Sequence, residues 1–138
     1  MRVSVSLPIL VLLSGCAAVP SGSEAPAGLD YTVQSATAAP GESVAVSLNN
    51  RSAEPIGYNL CIGALEQLRG PLWIPALSAA NACPDTWSTL EPGQQATAEA
   101  PLPAGLGPGD YRFVTRLKVP PGGLPVEQIR SDPFSIAQ

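Results

Sequence analysis

From Leu29 onward, short runs in which apolar and polar residues alternate are separated by clusters of Pro, Gly and Asn. A period of two sends successive side chains to opposite faces of an extended strand. The clearest run is Ser43-Val44-Ala45-Val46-Ser47-Leu48, where Val44, Val46 and Leu48 share one face and Ser43, Ala45 and Ser47 the other. Pro40-Gly41-Glu42 turns into it and Asn49-Asn50-Arg51-Ser52 closes it. Further strands are predicted at residues 31–35, 56–62, 72–74, 86–90, 95–99, from Tyr111 to Lys118, and at 129–136. Residues 64–69 fit a strand or one helical turn, since Leu65 and Leu68 stand three apart; the strand is preferred. Residues 75–84 read as irregular. Turn signals recurring about every 8 to 12 residues are those of an all-β sandwich of about seven strands.

The composition agrees. Sixteen prolines and thirteen glycines among 138 residues interrupt any long helical pattern, and the length suits one domain. Seven basic against eleven acidic residues leave a formal net charge of −4, so the chain carries no electrostatic footprint for nucleic acid or an anionic bilayer. The chain has no histidine. That removes the usual general base near neutral pH and excludes Ser-His-Asp and Cys-His catalysis, blue copper and His-ligated zinc. No phosphate loop, calcium loop or cofactor fingerprint occurs, so no cofactor or metal is expected.

The first residues have a separate logic. Met1-Arg2 is a minimal positive start, and Val3 to Leu13 is apolar but too short to span a bilayer as a helix. Next comes Leu13-Ser14-Gly15-Cys16, which resembles the lipobox of bacterial lipoprotein signal peptides at all four positions. The resemblance implies that residues 1–15 are a signal peptide and that the Cys16 thiol receives a diacylglycerol, with palmitate-type chains, through a thioether. Cleavage then frees an N-terminus that many bacteria acylate as well. Several acyl chains, at about 0.8 kcal/mol per buried CH₂, hold a protein far more firmly than one. Ala17 stands where aspartate would favour retention at the inner membrane, which points to the outer membrane, facing the periplasm, in a Gram-negative cell. Residues 16–28 are rich in Ala, Pro, Ser and Gly, and read as the lipidated cysteine and a flexible tether.

Residues 29–138 form the expected globular domain. Leu106-Gly107-Pro108-Gly109-Asp110-Tyr111 resembles the tyrosine corner of Greek-key sandwiches, in which the tyrosine hydroxyl bonds a backbone group a few residues upstream. With Pro40-Gly41-Glu42, Asn49-Asn50, a Trp73 strand and Leu90-Glu91-Pro92-Gly93, the order of motifs resembles the bacterial immunoglobulin-like domains of small lipoproteins and surface proteins. The implied fold is an immunoglobulin-like Greek-key β-sandwich. Tyr111 and Trp73 become structural residues, with Trp73 expected in the core. If Tyr111 points inward, so do Phe113, Thr115 and Leu117, while Arg112, Val114, Arg116 and Lys118 face out.

Of the three cysteines, lipidation accounts for Cys16. Export into an oxidising compartment then predicts a disulfide between Cys61 and Cys83, worth about 3 kcal/mol and stapling the irregular residues 62–82. Candidate binding residues are the outward Arg112, Arg116 and Lys118, as an anion-binding stripe or a solvated sheet face, and Trp87, which with Asp85 and Trp73 lies near the cysteine loop. Glu42, Glu54, Glu66, Asp110 and Glu127 show no sign of pairing as acid and base. The expectation is a non-enzymatic, lipid-anchored cell-envelope module with an envelope protein as partner. The alternative is an inhibitor or accessory subunit of an exported protease or hydrolase, acting through the cysteine loop.

Overall fold

The computed structural model describes residues 26–78 and 83–137; Cys16, the expected signal peptide at 1–15 and most of the expected tether at 16–28 therefore lie outside the described residues. Among the described residues there are ten strands and no helix. They are β1 (Leu29–Val33), β2 (Thr37–Ala38), β3 (Ser43–Asn50), β4 (Ile56–Arg69), β5 (Leu72–Ser78), β6 (Ser88–Leu90), β7 (Gln95–Pro101), β8 (Gly109–Lys118), β9 (Pro125–Arg130) and β10 (Phe134–Ile136). β1, β3 and β7 form a three-stranded antiparallel sheet. The second sheet runs β2-β10-β8-β4-β5, with β6 also on β4 and β9 also on β8.

This is an immunoglobulin-like β-sandwich. The opening segment serves both sheets, since β1 pairs with β3 and β2 runs parallel to β10. The closing segment is likewise split, because β9 and β10 lie in turn along β8. These two divisions largely explain why ten strands appear where about seven were expected.

The alternation in β3 does what its sequence implies: Val44, Val46 and Leu48 are buried between the sheets. Facing them are Tyr111, Phe113 and Leu117 of β8 with Ile56, Leu65, Ile129, Phe134 and Ile136. The Phe113 and Phe134 rings stack with centroids 5.3 Å apart. The Tyr111 hydroxyl donates to the Gly107 carbonyl at 2.8 Å, closing a tyrosine corner at the entry to β8.

Several expectations need correction. Residues 56–69 form one continuous strand rather than two elements. Between Tyr58 and Gly63 its register with β8 shifts, so that residues 59–62 form a bulge opposite the single residue Arg116 of the partner strand. β5 continues through Pro75 to Ser78, so the first four residues of the segment expected to be irregular belong to the second strand of a hairpin. Proline is tolerated there because β5 is an edge strand, where an absent N–H need not break a ladder. Val114 points outward in the alternation yet is only 7 % exposed, because neighbouring strands flank β8 on both sides there.

Candidate functional site

The outward face of the larger sheet carries most of the candidate residues. In register, Glu66 of β4 lies beside Arg112 of β8, and Leu68 lies beside Trp73 of β5. The Arg112 guanidinium bonds the Glu66 carboxylate at 2.7 Å through both Nε and Nη2. Its other contact is the Trp73 ring, whose centroid is 4.3 Å from Cζ. Arg130 of β9 brings its Nε to 3.8 Å from the same carboxylate oxygen. The Glu66 and Arg112 side chains are less than one-fifth exposed. A charge-assisted bond and a cation–π contact in such shelter fix the guanidinium plane.

Trp73 is therefore not a core residue. It is half-buried on the outward face, in a place set by the odd-even alternation of β5 across from Leu68.

The basic stripe is also divided. Arg112 is committed to Glu66 and Trp73. Lys118 holds its Nζ 4.2 Å from the centre of the Trp87 ring, whose Nε1 donates to Asp85 at 3.0 Å. Arg116 is exposed and stands opposite Gln128. Even so, Arg112, Arg116, Lys118 and Arg130, four of the chain's seven basic residues, share one face of an acidic molecule.

β5 borders this face and ends the sheet. Leu72 is 64 % exposed and Ile74 40 % exposed. Ile74 lies across from Gln67, which is buried and accepts from Arg69 Nε at 2.9 Å. An edge strand with uncovered aliphatic side chains can accept another strand by main-chain pairing.

Cys61 and Cys83 are disulfide-bonded, with Cα atoms 5.6 Å apart. The bond sits on the β4 bulge, and Asn59 organises that bulge. Its Oδ1 accepts from Cys61 N at 3.0 Å, its Nδ2 donates to Pro84 O at 2.9 Å, and its own carbonyl accepts from Thr115 Oγ1 at 3.3 Å. The disulfide expected from the cysteine count is thus present, and it ties Cys83 to the β4 bulge at Cys61.

Asn50 plays a similar part at the end of β3. It is fully buried; Nδ2 donates to Leu90 O and Glu54 O at 2.9 Å each, while Oδ1 accepts from Ser52 N and Ser52 Oγ. Sequence reasoning missed both residues as structural nodes. The available signal was an asparagine where an apolar strand breaks, since Asn readily bonds the backbone two residues on and replaces a ladder there.

The carboxylates do not converge. Glu42 accepts from Ala39 N, Asp110 accepts from Ser135 Oγ, and Glu66 is held by arginines. Glu54 is exposed, and the Glu127 side chain lies outside the described residues. Among the described residues no group of three or more His, Cys, Asp or Glu is placed to hold a metal ion. In comparison with known proteins, the chain matches no family model and no curated sequence.

Proposed function

We propose that this chain is a non-enzymatic lipoprotein of the bacterial cell envelope, anchored through Cys16, whose sandwich offers the β5 edge to a protein partner. The observation that carries the reading is Leu13-Ser14-Gly15-Cys16 placed directly after a short apolar stretch. The open edge at Leu72 and Ile74 supports the second half, because it supplies both unpaired backbone and apolar surface. In a Gram-negative cell the proposed site is the outer membrane, with the domain in the periplasm.

Two measurements test this. Labelled palmitate should enter the parent protein and not Cys16→Ala, and only the parent should fractionate with membranes; equal behaviour of the two would remove the anchor. A photo-crosslinking side chain at Leu72 should capture an envelope protein that the same side chain at Thr97 does not, and Ile74→Lys should abolish that product. Capture of a protease whose activity falls on binding would replace the structural module with the inhibitor reading.

A further inference from the structure

The loop between β8 and β9, residues 119–124, reads Val-Pro-Pro-Gly-Gly-Leu and has no polar side chain. Surface loops normally carry polar groups. Leu124 is 80 % exposed and Val119 37 % exposed. A second apolar loop provides an internal contrast. Residues 102–107 are Leu-Pro-Ala-Gly-Leu-Gly, yet there Leu102 is only 4 % exposed and Leu106 packs against the core. Apolar loop composition in this fold is thus compatible with turning leucines inward, and the β8–β9 loop does the opposite.

The position of that loop gives its exposure a meaning. The described chain begins at residue 26, and Gly28 O accepts from Arg51 N at 2.7 Å. Gly28 has φ +82°, and a Cβ there would stand 2.9 Å from Ser52 N, so the incoming chain lies flat on the β3–β4 turn. That turn is joined through Asn50 to Leu90, and Leu90 pairs with Ile56 at the start of β4. Beside it, Gly57 lies across from Lys118, and a Cβ on Gly57 would meet Lys118 Cβ at 3.0 Å and Pro121 Cα at 3.4 Å. The loop with Val119 and Leu124 is therefore at the same pole of the sandwich as the entry of the N-terminal segment.

We infer that the 119–124 loop docks into the surface of the bilayer that holds the anchor, with Leu124 as the inserted residue and Val119 beside it. This rests on the lipid-anchor reading. Nine residues, Ala17 to Ala25, separate the lipidated cysteine from Pro26, whose carbonyl accepts from Leu29 N at 3.0 Å. A chain of nine residues spans about 30 Å at full extension and about 17 Å on average as an ideal coil. The pole is thus held close to the membrane, and a contact too weak to bind a free protein becomes effective. The attraction is apolar: at the same pole Arg51 pairs with Asp30 at 3.0 Å, and the exposed Glu54 and Glu91 offset Lys118, so anionic headgroups offer no gain. Burying one leucine side chain shifts a partition ratio about tenfold to a hundredfold.

The test uses the full lipidated chain with Leu124→Cys carrying an environment-sensitive dye, floated with vesicles of zwitterionic phosphatidylcholine. With Cys16 acylated and Cys61 bonded to Cys83, the dye has one attachment point. Its emission should shift to the blue and be quenched by brominated lipids, with little dependence on salt. The same dye at Gly105→Cys, on the opposite pole, should report water. Adding Val119→Asp to the Leu124→Cys protein should lower the inserted fraction about tenfold, with unchanged circular dichroism showing that the fold persists. Protein that floats with vesicles while the dye at 124 reports water overturns the docking and leaves the anchor intact. Protein that fails to float, with no lipid on Cys16, overturns both.

Discussion

Replacement of Asn50 by alanine is expected to be among the most costly single changes in the domain. The side chain is fully enclosed and makes four hydrogen bonds, two given to the carbonyls of Leu90 and Glu54 and two received from Ser52. Asn50→Ala removes these partners together. Leu90 O lies 40 residues away in sequence and is buried at this contact, so water cannot replace the lost donor without opening the pole. Each net hydrogen bond is worth about 1 kcal/mol, and a buried carbonyl left without its donor costs about 1 to 3 kcal/mol. Ser52 is half-buried and can recover water, so its share is small. The sum is a loss of about 3 kcal/mol, a large fraction of a small domain's stability. Urea unfolding of the oxidised domain followed by tryptophan fluorescence measures it, with a midpoint shift at constant m-value as the expected signature. Asn50→Asp should be at least as damaging near neutral pH, because it sets a carboxylate against two carbonyl oxygens. A loss under about 1 kcal/mol for Asn50→Ala would refute the claim that this side chain holds the pole together.

Other outcomes follow from the same geometry. Tyr111→Phe removes a hydroxyl bonded to Gly107 O and should cost about 1 kcal/mol in the same unfolding assay, with β8 still formed by amide exchange. Reduction of Cys61–Cys83, which closes a loop with a sequence separation of 22, should lower stability by about 3 kcal/mol and be mimicked by the double alanine variant. Burial pushes the Tyr31 phenol well above its ordinary value of 10.0. Because the folded state resists ionisation while the unfolded state does not, this tyrosine's contribution is intact below about pH 10 and is lost above it, at about 1.4 kcal/mol per pH unit. Tyr31→Phe should flatten the alkaline limb of the stability profile; an unchanged limb would assign the loss to other groups.

Features with local causes could be read directly from the chain. The β3 alternation, the turns around Gly41 and Gly93, the Tyr111 corner and the pairing of two cysteines each depend on residues close in sequence or on simple counting. What could not be read depends on which strand lies next to which. Trp73 was expected in the core on the resemblance to immunoglobulin-like domains, but the register places it beside Leu68 on the outward face, under the Arg112 guanidinium. Arg112 reads in the sequence as one cation of an anion-binding stripe or of a solvated face paired with carboxylates; the β4–β8 register supplies the partner, Glu66, across 46 residues. The continuity of β4 was hidden because the bulge at 59–62 interrupts the period of two, and the length of β5 was hidden by Pro75. In the candidate surface, the sequence identified the basic residues but not their commitments, and it did not distinguish the outward Leu124 from the inward Leu102.

The division of the opening segment between two sheets has a mechanical consequence. β1 is held by β3 along five consecutive pairs, and β2 runs parallel to β10 in the opposite sheet. A tug along the strand axis from the N-terminal end would have to slide β1 past β3 with its rungs strained together, whereas a pull across the sheet would peel them one at a time. Under the proposed anchoring at Cys16, a grip on the module at its far edge would bring traction to the sandwich in the more resistant of these two directions.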